Sequence, residues 1–180
     1  MRVIGGRYGG RRLRAPGGRT TRPTGERVRE AVFSMLGDLR GMRALDLFAG
    51  SGALGIEALS RGAEQVVFVE RDRHALSVLR ANLASLELGE PRAIVRAQDA
   101  EPALRRARER RETYDLLLID PPYRQASAWG AGLSASLPAL LAPGARLVSE
   151  SDRRAPLHLE LPLRRERRYG DTLIRIHSQA

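Results

Sequence analysis

Apolar runs broken by polar, glycine-rich stretches set the framework of this chain. Met42 to Leu45 is a short run fit for a buried strand, and Ile56-Glu57-Ala58-Leu59 after it reads as helix. Gln65 to Glu70 and Tyr114 to Ile119 are almost continuously apolar, the pattern of parallel strands covered on both faces. Ala93 to Ala97 predicts a strand between them, and Arg146 to Glu150 predicts another after them. Helical spacing appears in Val28, Ala31, Val32, Met35 and Leu36, with Thr24 as the expected N-cap and Arg27 and Arg29 on the expected solvated face. It recurs in Ala75, Leu76, Leu79, Leu83 and Leu86, and again in Ala103, Leu104 and Ala107. Ser134 to Leu141 reads as a helix stopped by Pro143-Gly144. Stretches near Leu157 to Arg164 and Leu173 to Ile176 predict a closing antiparallel pair joined through Tyr169-Gly170-Asp171. Strands alternating with helices predict an α/β fold with a mostly parallel seven-stranded sheet, a C-terminal antiparallel pair and helices on both faces.

A chain of 180 residues suits one such domain, which buries roughly 70% of its unfolded surface. The formal charge of +10, carried entirely by arginine with no lysine, points to a polyanionic partner, of which nucleic acid is the commonest. With no cysteine and three scattered histidines, His74, His158 and His177, neither a disulfide nor a metal site is expected. The start, Met1-Arg2-Val3-Ile4-Gly5-Gly6, lacks the apolar core of a signal peptide, and no run approaches a membrane span. A cytoplasmic monomer is the expectation.

The basic charge is concentrated at the N-terminus. Residues 1 to 22 interleave Arg2, Arg7, Arg11, Arg12, Arg14, Arg19 and Arg22 with glycine pairs, and no acidic residue precedes Glu26. Val3-Ile4 and Arg12-Leu13-Arg14 can pair as a hairpin across the Gly-Gly turns, with Tyr8 available to stack on a base. The chain therefore divides into an arginine- and glycine-rich arm over 1–22, suited to a phosphate backbone, and a catalytic domain over 23–180.

Asp46-Leu47-Phe48-Ala49-Gly50-Ser51-Gly52-Ala53-Leu54-Gly55 lies between a strand and a helix. Its Gly50-x-Gly52-x-x-Gly55 spacing is that of a dinucleotide cradle, in which glycines let a ligand approach the backbone amides at a helix start. Asp46 alters the expected ligand. A carboxylate at the strand tip repels a pyrophosphate and attracts a cation, and S-adenosylmethionine carries a sulfonium and an ammonium but no phosphate.

Three later strand ends also carry carboxylates. Glu70, 20 residues past Gly50, can accept both hydroxyls of a ribose. Asp99 can accept from an adenine amino group or cap the helix after it. The fourth strand runs into Asp120-Pro121-Pro122-Tyr123. Its prolines fix φ and lack amide donors, leaving the Asp120 carboxylate and the Asp120 or Pro121 carbonyl as acceptors. With the flat ring of Tyr123, these acceptors suit the exocyclic amino group of a base. The helix bearing Arg105, Arg106, Arg108, Arg110 and Arg111 reads as a solvated face.

Taken together, Arg2-Val3-Ile4-Gly5-Gly6, Thr21-Arg22-Pro23-Thr24, Arg27-Val28-Arg29-Glu30-Ala31, Asp46 to Gly52 and Asp120 to Tyr123 resemble the RsmD family of 16S rRNA guanine N2 methyltransferases. That family has the Rossmann-like class I S-adenosylmethionine-dependent methyltransferase fold. The resemblance implies that Asp46, Phe48, Ala49, Gly50, Ser51 and Gly52 hold the methionine part of S-adenosylmethionine, Glu70 its ribose, and Asp99 and Ala100 its adenine. Arg22 and Thr24 would be neighbours of the donor. Asp120, Pro121, Pro122 and Tyr123 would face the guanine, and the partner would be 16S rRNA in the small ribosomal subunit or an assembly intermediate. Other readings are an amino methyltransferase of DNA or another RNA, a dinucleotide oxidoreductase, and a non-catalytic RNA-binding module. The oxidoreductase leaves Asp46 and Asp-Pro-Pro-Tyr without a role.

Overall fold

The computed structural model describes residues 1–15, 25–122 and 126–179. The expected cap Thr24, together with Arg19, Arg22 and Tyr123, lies outside them. Seven strands, β1 (Arg43–Asp46), β2 (Gln65–Glu70), β3 (Ala93–Ala97), β4 (Tyr114–Ile119), β5 (Leu141–Asp152), β6 (Leu163–Tyr169) and β7 (Thr172–Ser178), form one sheet in the order β3-β2-β1-β4-β5-β7-β6. Strands β1 to β5 pair in parallel, and β7 runs antiparallel to both β5 and β6. This is the mixed sheet that the hydrophobic pattern predicts. The helices are α1 (Glu26–Leu36), α2 (Ala53–Ser60), α3 (Arg73–Ser85), α4 (Ala100–Glu109) and α5 (Ala126–Ser136).

The two faces of the sheet bury separate cores. On one, Val32, Phe33 and Leu36 of α1, Ile56 and Leu59 of α2, and Leu79 and Leu83 of α3 pack on Phe68, Leu116, Leu118 and Ile174. On the other, Ala103, Leu104 and Ala107 of α4 and Leu133 of α5 pack on Leu45, Val67, Leu117 and Leu147. Burying the aliphatic side chains of both layers, at roughly 1.5 to 3 kcal/mol for each large one, is what holds the sheet between them.

The chain before α1 is fastened to the first of these faces. Arg2 and Arg12 pair antiparallel, with Val3 donating to the Arg11 carbonyl at 3.0 Å and Leu13 to that of Met1 at 2.9 Å, and Val3 and Leu13 are buried in the core. Gly6 adopts a φ of 75°, and a Cβ there would overlap the Ser60 carbonyl, so this turn requires glycine. Glu57 of α2 is the anchor: its carboxylate accepts the amides of Ile4 at 2.7 Å and Gly5 at 3.0 Å.

Arg29 corrects a reading from the sequence. Expected on a solvated face, it is 0% exposed, 3.8 Å from Glu57, and it donates to the Arg2 carbonyl. Burial lowers its pKa, against the attraction of Glu57 and then Glu26. A charge so placed is stable only because it is paired and hydrogen-bonded. His177 is buried, its Nδ1 3.1 Å from the Leu161 carbonyl, while His74 and His158 are exposed.

Three element boundaries differ from those expected. The helix read at Ser134 to Leu141 lies earlier, as α5, and is followed by a 3-10 turn at Pro138–Leu140. Strand β5 starts at Leu141 rather than Arg146, because its pairing with β4 shifts between Tyr114 and Leu116 and so absorbs Pro143-Gly144 in an irregularity. Strand β6 begins at Leu163, whereas Leu157, Leu159 and Leu161 pack on the second core as irregular chain.

Candidate active site

The order of strands reverses direction between β1 and β4, since β2 and β3 extend to one side and β5 to the other. Ligands of open α/β sheets bind at such a switch point, outside the carboxyl ends of the strands. The register places Asp46 beside Phe68 and Leu118, and Glu70 beside Ala97. Asp46, Glu70, Asp99 and Asp120 therefore occur along one edge of the sheet, at or just beyond four neighbouring strand ends.

The glycine loop is held from both sides. Leu47 donates to the Leu118 carbonyl and Ala49 to that of Val69, each at 3.0 Å, so the segment after β1 remains laddered to β4 and β2. Gly50 and Gly52 then take left-handed φ values of 54° and 81°. At Gly52 a Cβ would also meet the Leu79 side chain, and at Gly55 it would meet the Phe68 ring. Gly55 thus brings α2 close to β2, and its amide reaches Asp46 Oδ2 at 2.9 Å.

Asp46 is 1% exposed, and its Oδ1 is buried without a hydrogen-bond partner. Burial pushes its carboxyl up to about 7, opposed by the Gly55 hydrogen bond and reinforced by the nearby Glu70 charge. Glu70 Oε2 accepts from the Gly50 amide at 2.8 Å, and Oε1 accepts from the amides of Arg71 and Asp72, also at 2.8 Å. Glu70 is thereby fixed at the mouth of the loop, where it shapes the turn as well as presenting an acceptor. The unpartnered Oδ1 of Asp46, the second carboxylate beside it and the glycine cradle together fit a cationic nucleoside such as S-adenosylmethionine, and they disfavour a pyrophosphate.

Asp99 occupies the N-cap position of α4 without making a side-chain capping bond, and instead pairs with Arg71 at 3.0 Å on the surface. Ala100 is buried as the first residue of α4. Beyond β4, Asp120 is half-buried, Pro121 buried and Pro122 exposed. In the N-terminal hairpin, Arg2 pairs with Glu26 at 3.1 Å, and Arg11 donates to the Ser85 carbonyl at 2.8 Å. The Arg7 guanidinium sits 5.7 Å over the half-buried Tyr8 ring, and Arg12 and Arg14 have exposed side chains.

Two residues that sequence reading passed over complete the walls. Trp129 of α5 meets the Phe48 ring edge-on, with centroids 5.2 Å apart and planes at 69°, joining the glycine loop to the element that follows Asp-Pro-Pro-Tyr. It is the chain's one tryptophan, in a helix of small residues, and that isolation is the signal that could have found it. Asn82 of α3, 1% exposed, donates to the Ser51 carbonyl at 2.9 Å and the Arg14 carbonyl at 3.0 Å, and accepts the Arg14 amide at 2.8 Å. One side chain thus ties the hairpin backbone to the glycine loop.

Known proteins share this chain's sequence and fold along most of its length. The chain is 40% identical to the Bacillus subtilis protein YlbH, named as a candidate rRNA methyltransferase, over 99% of both chains. It is 38% identical to Ribosomal RNA small subunit methyltransferase D of Escherichia coli strain K12, over 69% of this chain and 61% of that protein. The solved structure of Escherichia coli yhhF, described as a candidate methyltransferase, matches with a TM-score of 0.81 at 33% identity, over 99% of this chain and 97% of that one. The family described as Conserved hypothetical protein 95 matches residues 1–178, and the chain accordingly belongs to that family, the RsmD methyltransferases.

Proposed function

We propose that this protein transfers a methyl group from S-adenosylmethionine to the exocyclic N2 amino group of a guanine in 16S rRNA of the small ribosomal subunit. The observation that carries the reading is the pairing of two acidic strand ends across the switch point. Asp46 on β1 offers a buried, unpartnered oxygen to a cation, and Asp120, just past the neighbouring β4, leads into Pro121-Pro122. S-adenosylmethionine, when bound, supplies an electrophilic methyl group on a sulfonium.

In this reading Asp46 and the Phe48 to Gly52 loop hold the methionine part, Glu70 the ribose, and Asp99 with Ala100 the adenine. By the family resemblance, Arg22 and Thr24 would contribute to donor binding. A guanine amino nitrogen is a poor nucleophile because its lone pair is delocalised into the ring. Asp120 and the Pro121 carbonyl each accept one N–H, which lets the nitrogen pyramidalise and regain a directed lone pair. Pro122 fixes the turn and Tyr123 stacks on the base, worth about 1 to 3 kcal/mol. Positioning and preorganised acceptors supply most of the rate. The amino proton becomes acidic only once the nitrogen is alkylated, so the Asp120 carboxylate or water suffices to take it. The target guanine must leave its stack to reach these groups.

The test is methyl transfer to small ribosomal subunits lacking the modification, followed by nucleoside mass spectrometry. N2-methylguanosine in 16S rRNA is the expected product. A different modified nucleoside, or none, overturns the reading.

A further inference from the structure

The N-terminal hairpin meets the glycine loop only at its Arg14 end, through Asn82, and its turn lies at the opposite end of α2. Its turn packs at Ser60, with the Arg7 amide donating to the Ser60 carbonyl at 2.7 Å, and Ser60 is the end of α2 remote from the glycine loop. Of its arginines, Arg7 and Arg11 are carried towards that remote end, where Arg11 reaches the Ser85 carbonyl at the C-terminus of α3. The hairpin also lies on the β1–β2 side of the switch point, over α2 and α3. Its ion pairs and hydrogen bonds among the described residues are with α1, α2 and α3, so the β5 side of Asp120 draws its cations from elsewhere.

The opposite flank supplies them. Strand β6 is parallel to β5, because each pairs antiparallel with β7, and Asp152 and Tyr169 both register with Thr172. The C-terminal end of β6 and the turn after β5 therefore share the sheet edge that carries Asp120. Residues 153–168 hold six arginines against Glu160 and Glu166. Arg153, Arg154, Arg165, Arg167 and Arg168 are exposed. Arg153 and Arg154 share Asp171, at 3.3 and 3.6 Å, and Arg168 shares Glu166 with Arg175. Arg165 and Arg167 make no ion pair among the described residues, and Arg167 donates only to the Glu166 carbonyl.

Arg165 and Arg167 register with Ile176 and Ile174, so both side chains project on the face of the sheet that α1 covers. Three strand spacings separate β4 from β6, about 14 Å in all, within reach of a nucleotide chain whose target base sits at Asp120. An edge strand carrying arginines is also protected from pairing with another sheet. That protection accounts for charge on the strand but not for the further arginines at the end of β5.

We infer that the end of β5 and strand β6, through Arg153, Arg154, Arg165, Arg167 and Arg168, form a second RNA-backbone surface that grips phosphates on the β5 side of the target guanine. The inference rests on the proposed rRNA methylation. It assigns this surface to RNA phosphates, and short RNA and inorganic phosphate serve as separate probes of the source.

The experiment compares wild type, Arg165→Ala/Arg167→Ala and, as a charge-matched control on α4, Arg105→Ala/Arg108→Ala. Binding to a 16S rRNA fragment is measured across salt concentrations, with S-adenosylhomocysteine binding as the check on the donor site. The β6 pair should lower the slope of log K against log salt by about 0.7 for each phosphate no longer neutralised in single-stranded RNA, or about 0.9 in duplex. It should also raise KM for the RNA several-fold with donor affinity unchanged, while the α4 pair moves neither. Inorganic phosphate should compete only weakly. A β6 variant with the wild-type slope and KM, or an equal loss in the α4 control, overturns the inference. Saturation of the wild type by millimolar phosphate overturns it in favour of a small-anion site. If wild-type protein fails to methylate the subunit at all, the functional reading falls and the inference falls with it.

Discussion

Asp46 accepts the Gly55 amide at 2.9 Å through one carboxylate oxygen and keeps the other buried without a partner. The same short distance that seats α2 against β1 thus leaves half of an acid unsatisfied at the mouth of the glycine loop. Burial favours its neutral form and raises the carboxyl to about 7, so near neutral pH the free protein carries a mixture of the two forms. A cation placed beside Oδ1 favours the carboxylate and expels the proton.

Binding of S-adenosylmethionine should accordingly tighten as pH rises from about 6 to 8, by at most about tenfold per unit, and level off above. S-adenosylhomocysteine, which lacks the sulfonium charge, should show a weaker dependence. Calorimetry in buffers of different ionisation enthalpy reads the released proton directly. An identical pH profile in Asp46→Asn would show that another group carries the linkage.

The same carboxyl affects folding with a definite sign. A carboxyl whose folded pKa is raised binds a proton that the unfolded chain has released, so its contribution is fully present below about pH 4 and is lost as pH rises through about 7. Asp46→Asn should therefore raise the melting temperature of the donor-free protein at pH 8, by about 2 to 4 °C for each kcal/mol of relieved charge burial, and raise it by clearly less at pH 5. Donor binding should weaken in the same variant. Thermal unfolding at the two pH values checks the stability claim.

Arg29 and Glu57 form a buried pair that joins three segments: α1, α2 and the hairpin. Arg29→Ala leaves the Glu57 charge with Arg61 as its remaining cationic partner, and should cost about 3 to 5 kcal/mol. Arg29→Met with Glu57→Leu restores apolar packing but still abandons the amides of Ile4 and Gly5. The double variant should recover part of the stability while the hairpin exchanges its amide protons faster. Denaturant titration and hydrogen exchange separate the two effects.

The sequence makes most of the sheet legible because β2 and β4 are interior strands, and their apolar runs begin and end with the strands themselves. Strand β6 escapes that pattern for the opposite reason. An edge strand with little buried surface needs no apolar run, and the leucines at 157, 159 and 161 that imitate one pack as irregular chain. Pro143-Gly144 looks like a stop only until the β4 register is known. At the site, Asp46, Glu70 and Asp120 are recognisable as carboxylates at strand ends. That Asp46 keeps an unpartnered oxygen, and that Asn82 and Trp129 belong to the walls, depends on contacts between distant segments that no local pattern encodes. Arg29 is within reach of the pattern: with Val32, Phe33 and Leu36 it occupies the i, i+3, i+4, i+7 stripe of α1, and its charge obscures the periodicity.

Asn82 holds both backbone groups of Arg14 and the carbonyl of Ser51. Asn82→Ala removes these bonds and leaves Ser51 to be satisfied otherwise, at about 1 to 3 kcal/mol. The donor KM should rise several-fold with a smaller change in kcat. Arg14→Pro, which beyond losing the side chain deletes the amide donor of the same clamp and fixes φ, should shift donor KM in the same direction, whereas Arg14→Ala, which loses the side chain but keeps the amide, should not. Equal behaviour of the two Arg14 variants would count against the clamp.

Asp120 is the group on which methyl transfer, as proposed, depends most. Its carboxylate acts on the nucleophile, at the end of β4, while the donor loop follows β1 and is held by hydrogen bonds to Leu118, Val69 and Glu70 that Asp120 does not make. Asp120→Ala should therefore reduce kcat by at least about a hundredfold, the scale of losing one preorganised polar group, while S-adenosylhomocysteine binding stays within a few-fold. Asp120→Asn keeps one acceptor oxygen without the charge and should fall between the two. The decisive readout is single-turnover methylation with donor and RNA both saturating, because it excludes weakened binding as the cause. Wild-type single-turnover rates in Asp120→Ala would remove the carboxylate from the chemistry and leave the backbone carbonyls at Asp120 and Pro121 to orient the amino group alone.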